Sequence, residues 1–162
     1  MNPTVYIETS VISYLTARPS RDARIAANQK ATHEWWQNER HGFNLVSSLL
    51  VLDEIRQGDH VAATARLSIF EPLRLVRSTF DADRLTSSLL ANLALPEKAR
   101  VDAAHIAIAA VNSIDFLLTW NCQHINNVFQ KPRIRAVCAD SGFRCPEICS
   151  PVDMIGGAAH EQ

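Results

Sequence analysis

The stretch TVYIETSVISYL, residues 4–15, decides how this chain is organised. Thr4 to Glu8 are β-branched or aromatic up to the closing acid, which is the composition of a short strand. Thr9 and Ser10 can cap a helix, and Val11, Ile12, Tyr14 and Leu15 continue from them at helical spacing. A strand, a tight turn and a helix therefore follow one another, with an acid where the strand stops.

The same alternation continues outward. TARPSRDAR, residues 16–24, holds Pro19 and three arginines and predicts a loop or helix start. Ile25, Ala26, Gln29, Thr32, Trp35 and Trp36 predict a helix to about Arg40, ended by His41-Gly42. Phe43–Val46 reads as a second strand, after which Ser47 or Ser48 caps a helix carrying Leu50, Val51, Glu54 and Ile55, and Gly58-Asp59 ends it. Val61–Phe70 predicts a helix, Pro72–Val76 a third strand, and Phe80–Ala94 another helix. Pro96-Glu97 opens an alanine-rich helix to about Asn112. Asp115–Trp120 (DFLLTW) is a fourth strand, apolar enough to be buried on both faces. The expected fold is a three-layer α/β/α sandwich with a central, mostly parallel sheet of four to five strands. One domain is expected over residues 1–155, followed by a flexible tail at 156–162 that begins Gly156-Gly157-Ala158-Ala159.

Composition narrows the function. The 162 residues are 47% hydrophobic and 20% charged with a net charge of −1, enough for one packed core and unlike a disordered tail or a basic nucleic-acid coat. No apolar run approaches the roughly 20 residues that span a bilayer, and MNPTVYIETS lacks the order of a secretory signal. A soluble, cytoplasmic protein with no membrane partner is the expectation. Cys122, Cys138, Cys145 and Cys149 then read as inert thiols, since structural zinc wants two short-spaced pairs and only Cys145 and Cys149 come close.

Ligands of open parallel sheets bind outside the carboxyl ends of the strands, so residues at those ends carry the functional reading. Glu8 ends the first strand, Glu54 lies about two turns into the helix after the second, and Asp102 lies within the first two turns of the helix before the fourth. Asn121 follows the fourth strand. Carboxylates gathered at about 4 Å repel by roughly 4 kcal/mol per pair at an effective dielectric near 20, so they must protonate or hold a cation. Oxygen ligands without His or Cys suit Mg2+ or Mn2+, and two such ions can clamp a phosphodiester.

The segments VYIETSVISYL, SSLLVLDEI, RVDAAHIAIAAV and DFLLTWNCQHI resemble, in this order, the four motif blocks of PIN-domain ribonucleases, most nearly the VapC-type toxins of bacterial toxin-antitoxin pairs. They span residues 5 to about 125. The resemblance implies a PIN-like fold, an acidic pocket binding magnesium or manganese, cleavage of RNA, a cognate antitoxin and a homodimer. It also implies that Glu8, Glu54 and Asp102 are catalytic and metal-binding, with Ser10 as the small hydroxyl beside the first acid. Two positions depart from the pattern. Glu8 stands where the family usually has the shorter Asp, and Asn121 stands where many members carry a fourth acid, leaving it a carbonyl to offer a metal but no charge.

The remaining polar residues sort by position. Asp53 lies about 100° around the helix from Glu54 and cannot share its pocket. Asp115 begins the fourth strand roughly 17 Å from Asn121 and should be structural. His105 shares a helical face with Asp102 and can support the site or pack against the sheet. Trp120 and His124 flank the pocket rim. Arg18, Arg21 and Arg24 are candidates for holding RNA phosphates, with Lys131, Arg133 and Arg135 as a second group. Helices over residues 23–36 and 61–70 offer apolar surface for a dimer. The alternatives are a catalytically silent PIN-like module that binds RNA or protein, and an acidic-pocket phosphohydrolase, which lacks its strand-end Asp nucleophile here.

Overall fold

A computed structural model describes residues 1–93 and 95–156. Its elements, in chain order, are β1 (Thr4–Ile7), α1 (Thr9–Thr16), α2 (Ala23–Asn38), β2 (Asn44–Ser47), α3 (Leu49–Ile55), α4 (His60–Phe70), β3 (Arg74–Leu75), α5 (Phe80–Asn92), α6 (Arg100–Val111), β4 (Phe116–Leu118), α7 (Lys131–Asp140) and β5 (Glu147–Cys149). The strands form one sheet in the order β3-β2-β1-β4-β5, parallel throughout. Right-handed crossovers explain the layers. From β1 the chain steps outward to β2 and β3, and α1 to α4 pack together. It then returns across β1 to β4 and β5, and α5 to α7 form the opposite group. The expected α/β/α sandwich is thus present, with its fifth strand. The direction of travel reverses between β1 and β4, which opens a crevice at their carboxyl ends.

The core explains why the central strands are nearly all apolar. Val5, Tyr6, Ile7, Leu117 and Leu118 are completely buried between the helical layers, with Trp35 and Ile12 on one side and Ile106, Leu85 and Leu89 among the other helices. Each such side chain contributes about 1.5–3 kcal/mol by leaving water. The alanines of α6 are buried as expected, and they allow that helix to lie close to the sheet.

Local chemistry sets most boundaries, with three corrections to the sequence reading. Glu8, not Thr9 or Ser10, is the cap of α1: its backbone is extended and its carboxylate accepts from Ser10 N. Of the two candidate serines, Ser48 caps α3 by accepting from Val51 N. Gly58, at φ +86, takes the left-handed conformation that turns the chain after α3. Residues 97–99 form a short 3-10 turn before α6 instead of its first turn. The sequence reading did not anticipate α7 and β5. In α7 only Ile134 and Cys138 are buried, so its apolar stripe is a pair amid charges, and β5 is a three-residue strand set between Pro146 and Pro151. Of the expected tail at 156–162, residues 157–162 lie outside the described residues. No helix among the described residues is long and apolar enough to cross a membrane.

Candidate active site

Glu8 leaves the carboxyl end of β1, and its N–H extends the pairing with β4 by donating to Leu118 O (3.2 Å). The side chain is 5% exposed and turns back over the first turn of α1. Its Oε2 accepts from Ser10 N (2.8 Å), from the Ser10 hydroxyl and from Thr119 Oγ1 (3.0 Å). The extra methylene relative to Asp is what lets one carboxylate cap a helix and reach across to β4. The Ser10 hydroxyl in turn accepts from Trp120 N (2.8 Å), which ties α1 to the end of β4.

Glu54 sits in the last turn of α3. Its Oε1 accepts from Thr9 Oγ1 (2.7 Å) and from His105 Nε2 (2.6 Å). Partial burial acts to raise the pKa of this carboxyl, but the hydrogen bond and charge of His105, aided by Thr9, outweigh it and hold the group below its usual range. His105 is wholly buried, and its Nδ1 lies 2.8 Å from the Tyr6 hydroxyl, itself 2.6 Å from Ser48 Oγ. Burial drives the Tyr6 phenol far above its ordinary pKa, against the opposing pull of the Ser48 hydrogen bond. Since a carboxylate only accepts, His105 Nε2 carries a proton. Ser48, Tyr6 and His105 thus form a chain of buried hydrogen bonds that ends on Glu54. His105 thus supports a carboxylate, but that of Glu54 and not of Asp102 one turn earlier.

Asp102, in the first turn of α6, pairs through Oδ2 with Nδ1 of His124 (2.7 Å). The backbone N of His124 donates to Asn121 Oδ1 (3.1 Å), and Asn121 N donates to Thr119 Oγ1 (2.9 Å). Asn121 therefore spends its carbonyl on the turn that positions His124.

These bonds close a circuit. Glu8 connects through Thr119, Asn121 and His124 to Asp102; α6 carries it one turn to His105; His105 reaches Glu54; and Glu54 returns through Thr9 to the residue beside Glu8. Each carboxylate engages one oxygen in this circuit, leaving Glu8 Oε1, Glu54 Oε2 and Asp102 Oδ1 without a partner among the described residues. The acids do not form a closed cage, since no three His, Cys, Asp or Glu side chains among the described residues are grouped to hold a metal ion. A hard-oxygen set of this kind suits an ion that keeps several waters and takes further oxygens from substrate phosphates, the habit of Mg2+.

The other expected residues fall into place around this circuit. Asp53 is exposed. Asp115 is at the opposite end of β4, bonded to Thr4 N (2.8 Å), Thr4 Oγ1 (2.9 Å) and Arg144 (3.1 Å). Trp120 stacks on Tyr14 with ring centres 5.6 Å apart and donates from Nε1 to Thr32 Oγ1 (2.8 Å), so it braces α1 against α2. Arg18, Arg21 and Arg24 are exposed and have no ion pair or side-chain hydrogen bond among the described residues. Their loop is pinned by buried Gln29, which accepts from Ser20 N (2.9 Å) and donates to Arg18 O (3.0 Å). Thr32 meets Trp120 at the carboxyl end of β4, and α2 runs from there towards the amino end of β2. Arg24 thus lies about 12 Å further out, on the carboxylate side of the sheet. The second basic group is occupied: Lys131 donates to Ile148 O (3.1 Å), Arg133 to Asn92 O (2.9 Å), and Arg135 pairs with Glu147 (3.6 Å). Thr9, Thr119 and the Asp102 partnership of His124 escaped the sequence reading; the one signal was that Thr119 and His124 flank Asn121 in DFLLTWNCQHI.

The fold has solved counterparts. The chain is similar to VapC20 of Mycobacterium tuberculosis, described as a sarcin-ricin loop cleaving toxin, at 21% identity and a TM-score of 0.57, covering 74% of this chain and 92% of that one. It is also similar to VapBC2 of Rickettsia felis, solved bound to a DNA fragment from their promoter, at 14% identity and a TM-score of 0.54 over 91% and 98% of the two chains. VapBC-1 of nontypeable Haemophilus influenzae matches at 14% identity and 0.57 over 92% and 98%. The architecture is that of the VapC toxins. No family model and no curated protein matches the chain.

Proposed function

We propose that this protein is a magnesium- or manganese-dependent ribonuclease of the PIN-domain, VapC type, acting in the cytoplasm as the toxin of a toxin-antitoxin pair. The observation that carries the reading is the circuit itself: three carboxylates at the β1/β4 switch point, each with one oxygen fixed and one free. Glu8, Glu54 and Asp102 would hold the ion through their free oxygens, with Asn121 beside them. The ion would supply positive charge to the phosphate oxygens and lower the pKa of water at neutral pH.

The chain's own residues do the rest. Thr9, Ser10, Thr119, His105 and His124 fix the carboxylate orientations before substrate arrives, the pre-organisation that makes charge stabilisation effective. Arg18, Arg21 and Arg24 hold RNA phosphates on the same side of the sheet without reading sequence. The likeness to two toxin-antitoxin complexes supports an antitoxin partner, and Ile25 (39% exposed) and Val61 (76%) offer α2 and α4 as apolar surface for it or for a second copy of the chain. A single nuclease domain over residues 1–155 with a tail at 156–162 completes the reading.

The test is to incubate purified protein with single-stranded and structured RNA in Mg2+, in Mn2+ and in excess chelator. Cleavage that requires the divalent ion is expected. Intact RNA under every condition overturns the proposal.

A further inference from the structure

Helix α7 and strand β5 lie side by side, and two contacts set their register. Lys131 Nζ donates to Ile148 O (3.1 Å), and Arg135 pairs with Glu147 (3.6 Å). Each step forward along α7 is thus a step back along β5. Carried one turn further, the register puts Cys138 level with Cys145, because seven helical residues from Lys131 rise about 10.5 Å and three extended residues back from Ile148 cover about 10 Å. Lys131, Arg135 and Cys138 share a helix face at i, i+4 and i+7, and Cys145, held extended by Pro146 after it, falls on the same side of the chain as Glu147. The intervening turn closes on the same place: Phe143 N donates to Cys138 O (2.9 Å), and Gly142 takes the left-handed conformation at φ +86. There the Cys138 thiol hydrogen-bonds the Cys145 sulfur. By spacing alone Cys145 and Cys149 are the close pair; the fold pairs Cys145 with Cys138 instead.

The two thiols are unequal. Cys138 is completely buried, whereas Cys145 is half-buried and lines a cavity of about 530 Å3 beside Asn2, Asp115 and Arg144. A small polar oxidant reaches Cys145 and not Cys138. The bond from Cys138 foremost, then the Arg135 guanidinium, holds the Cys145 thiol below its ordinary pKa against burial and Glu147, while burial pushes Cys149 up to about 12. We propose that Cys145 and Cys138 form a peroxide-sensitive thiol pair, Cys145 reacting first and Cys138 closing a disulfide with it. The Cys145 thiolate attacks one oxygen of hydrogen peroxide; the O–O bond breaks, and hydroxide leaves with the proton the thiol gave up, as water. Cys138 sulfur then attacks the sulfur of the resulting sulfenic acid. The S–O bond breaks, and the departing oxygen takes the Cys138 proton to form a second water, so two electrons from the sulfurs reduce one peroxide. Thiol reductants reverse the bond by exchange, as befits a sensing disulfide in a reducing compartment. The pair lies towards the amino end of β5, away from the acids at the carboxyl end of the sheet, so it stands apart from the nuclease reading.

The experiment treats the folded, full-length protein with hydrogen peroxide, removes the oxidant, unfolds the chain and titrates its thiols. The four thiols of the chain should fall to two and return to four after dithiothreitol. Peptide mapping without reductant should find the fragments of Cys138 and Cys145 joined. In Cys138→Ser protein, Cys145 should stop at the sulfenic acid and be trapped by dimedone; in Cys145→Ser protein, the three remaining thiols should survive the same treatment. Wild type that keeps four thiols at a peroxide level that oxidises free cysteine overturns the proposal. So does a disulfide that joins Cys122 or Cys149 in place of this pair, or dimedone labelling of Cys145 in wild type with no disulfide formed. Cys145→Ser protein that loses thiols as fast as wild type removes Cys145 as the first to react. The wild-type mapping decides the matter even where a serine variant folds poorly.

Discussion

The two ends of the β1/β4 pair hold acids of opposite kind. At the amino end, Asp115 engages both oxygens: Oδ2 takes Thr4 N and Oγ1, and Oδ1 takes Arg144, which together hold its carboxyl below the usual range, the backbone bond foremost. At the carboxyl end, Glu8, Glu54 and Asp102 each engage one oxygen and keep the other. All four carboxylates have partners, so having a partner does not separate structure from function. What differs among these four is whether the acceptor capacity is exhausted. A carboxylate with both oxygens engaged has little acceptor capacity left, whereas one with a single oxygen engaged is oriented and keeps a free acceptor.

The largest expected effect breaks this contrast directly. Asp102→Asn should lower divalent-dependent RNA cleavage at least about a hundredfold, the scale of losing a principal charge-stabilising group. Asp115→Asn should leave the rate within about twofold and act only on stability, by roughly 1 kcal/mol or less at its partly exposed site. Equal losses of rate in the two variants, measured on one RNA, would show that saturation is the wrong criterion.

Next comes the buried chain behind Glu54. Tyr6→Phe removes the hydrogen-bond partner of His105 Nδ1 and a partner of Ser48, and it should destabilise the protein by about 1–3 kcal/mol in urea unfolding. An unchanged midpoint would mean that these groups find other partners.

Asn121→Asp tests the departure from the four-acid pattern. The carboxylate can still accept from His124 N but adds charge beside Asp102, so the metal-free protein should melt lower and the rise on adding Mn2+ should exceed that of wild type, as linkage requires. Melting curves of the two proteins, with and without Mn2+, decide it. A metal-induced rise no larger than in wild type places Asn121 outside the metal's reach.

The smallest effect is on pH dependence. Because the folded Glu54 carboxyl lies below its ordinary range, the unfolded chain takes up the proton first on acidification. Its contribution is complete above about pH 4.5 and is lost as pH falls through the folded value. Glu54→Gln should therefore lose less stability than wild type below about pH 4.5, by less than about 1 kcal/mol given its partial exposure. Parallel acid titrations of unfolding would expose an opposite or absent difference.

Sequence alone determined what depends on residues close together in the chain. The strand of TVYIE, the buried DFLLTW strand, the alanine-rich packing of α6 and the succession of strands and helices all follow from side-chain periodicity over a few residues. The order of motif blocks likewise picked out Glu8, Glu54 and Asp102. Helix α7 and strand β5 were not legible, because a buried pair amid charges and a three-residue strand carry too little local pattern. Tertiary structure alone decided which oxygen of each acid is engaged and by whom. Thr119 reaches Glu8 across 111 positions, His105 reaches Glu54 across 51, and His124 reaches Asp102 across 22. No propensity encodes such partners. They are set by the crossovers that bring β1 and β4 side by side and by the packing that points each side chain at one acid, so the candidate acids could be named from the chain whereas their hydrogen-bond partners could not.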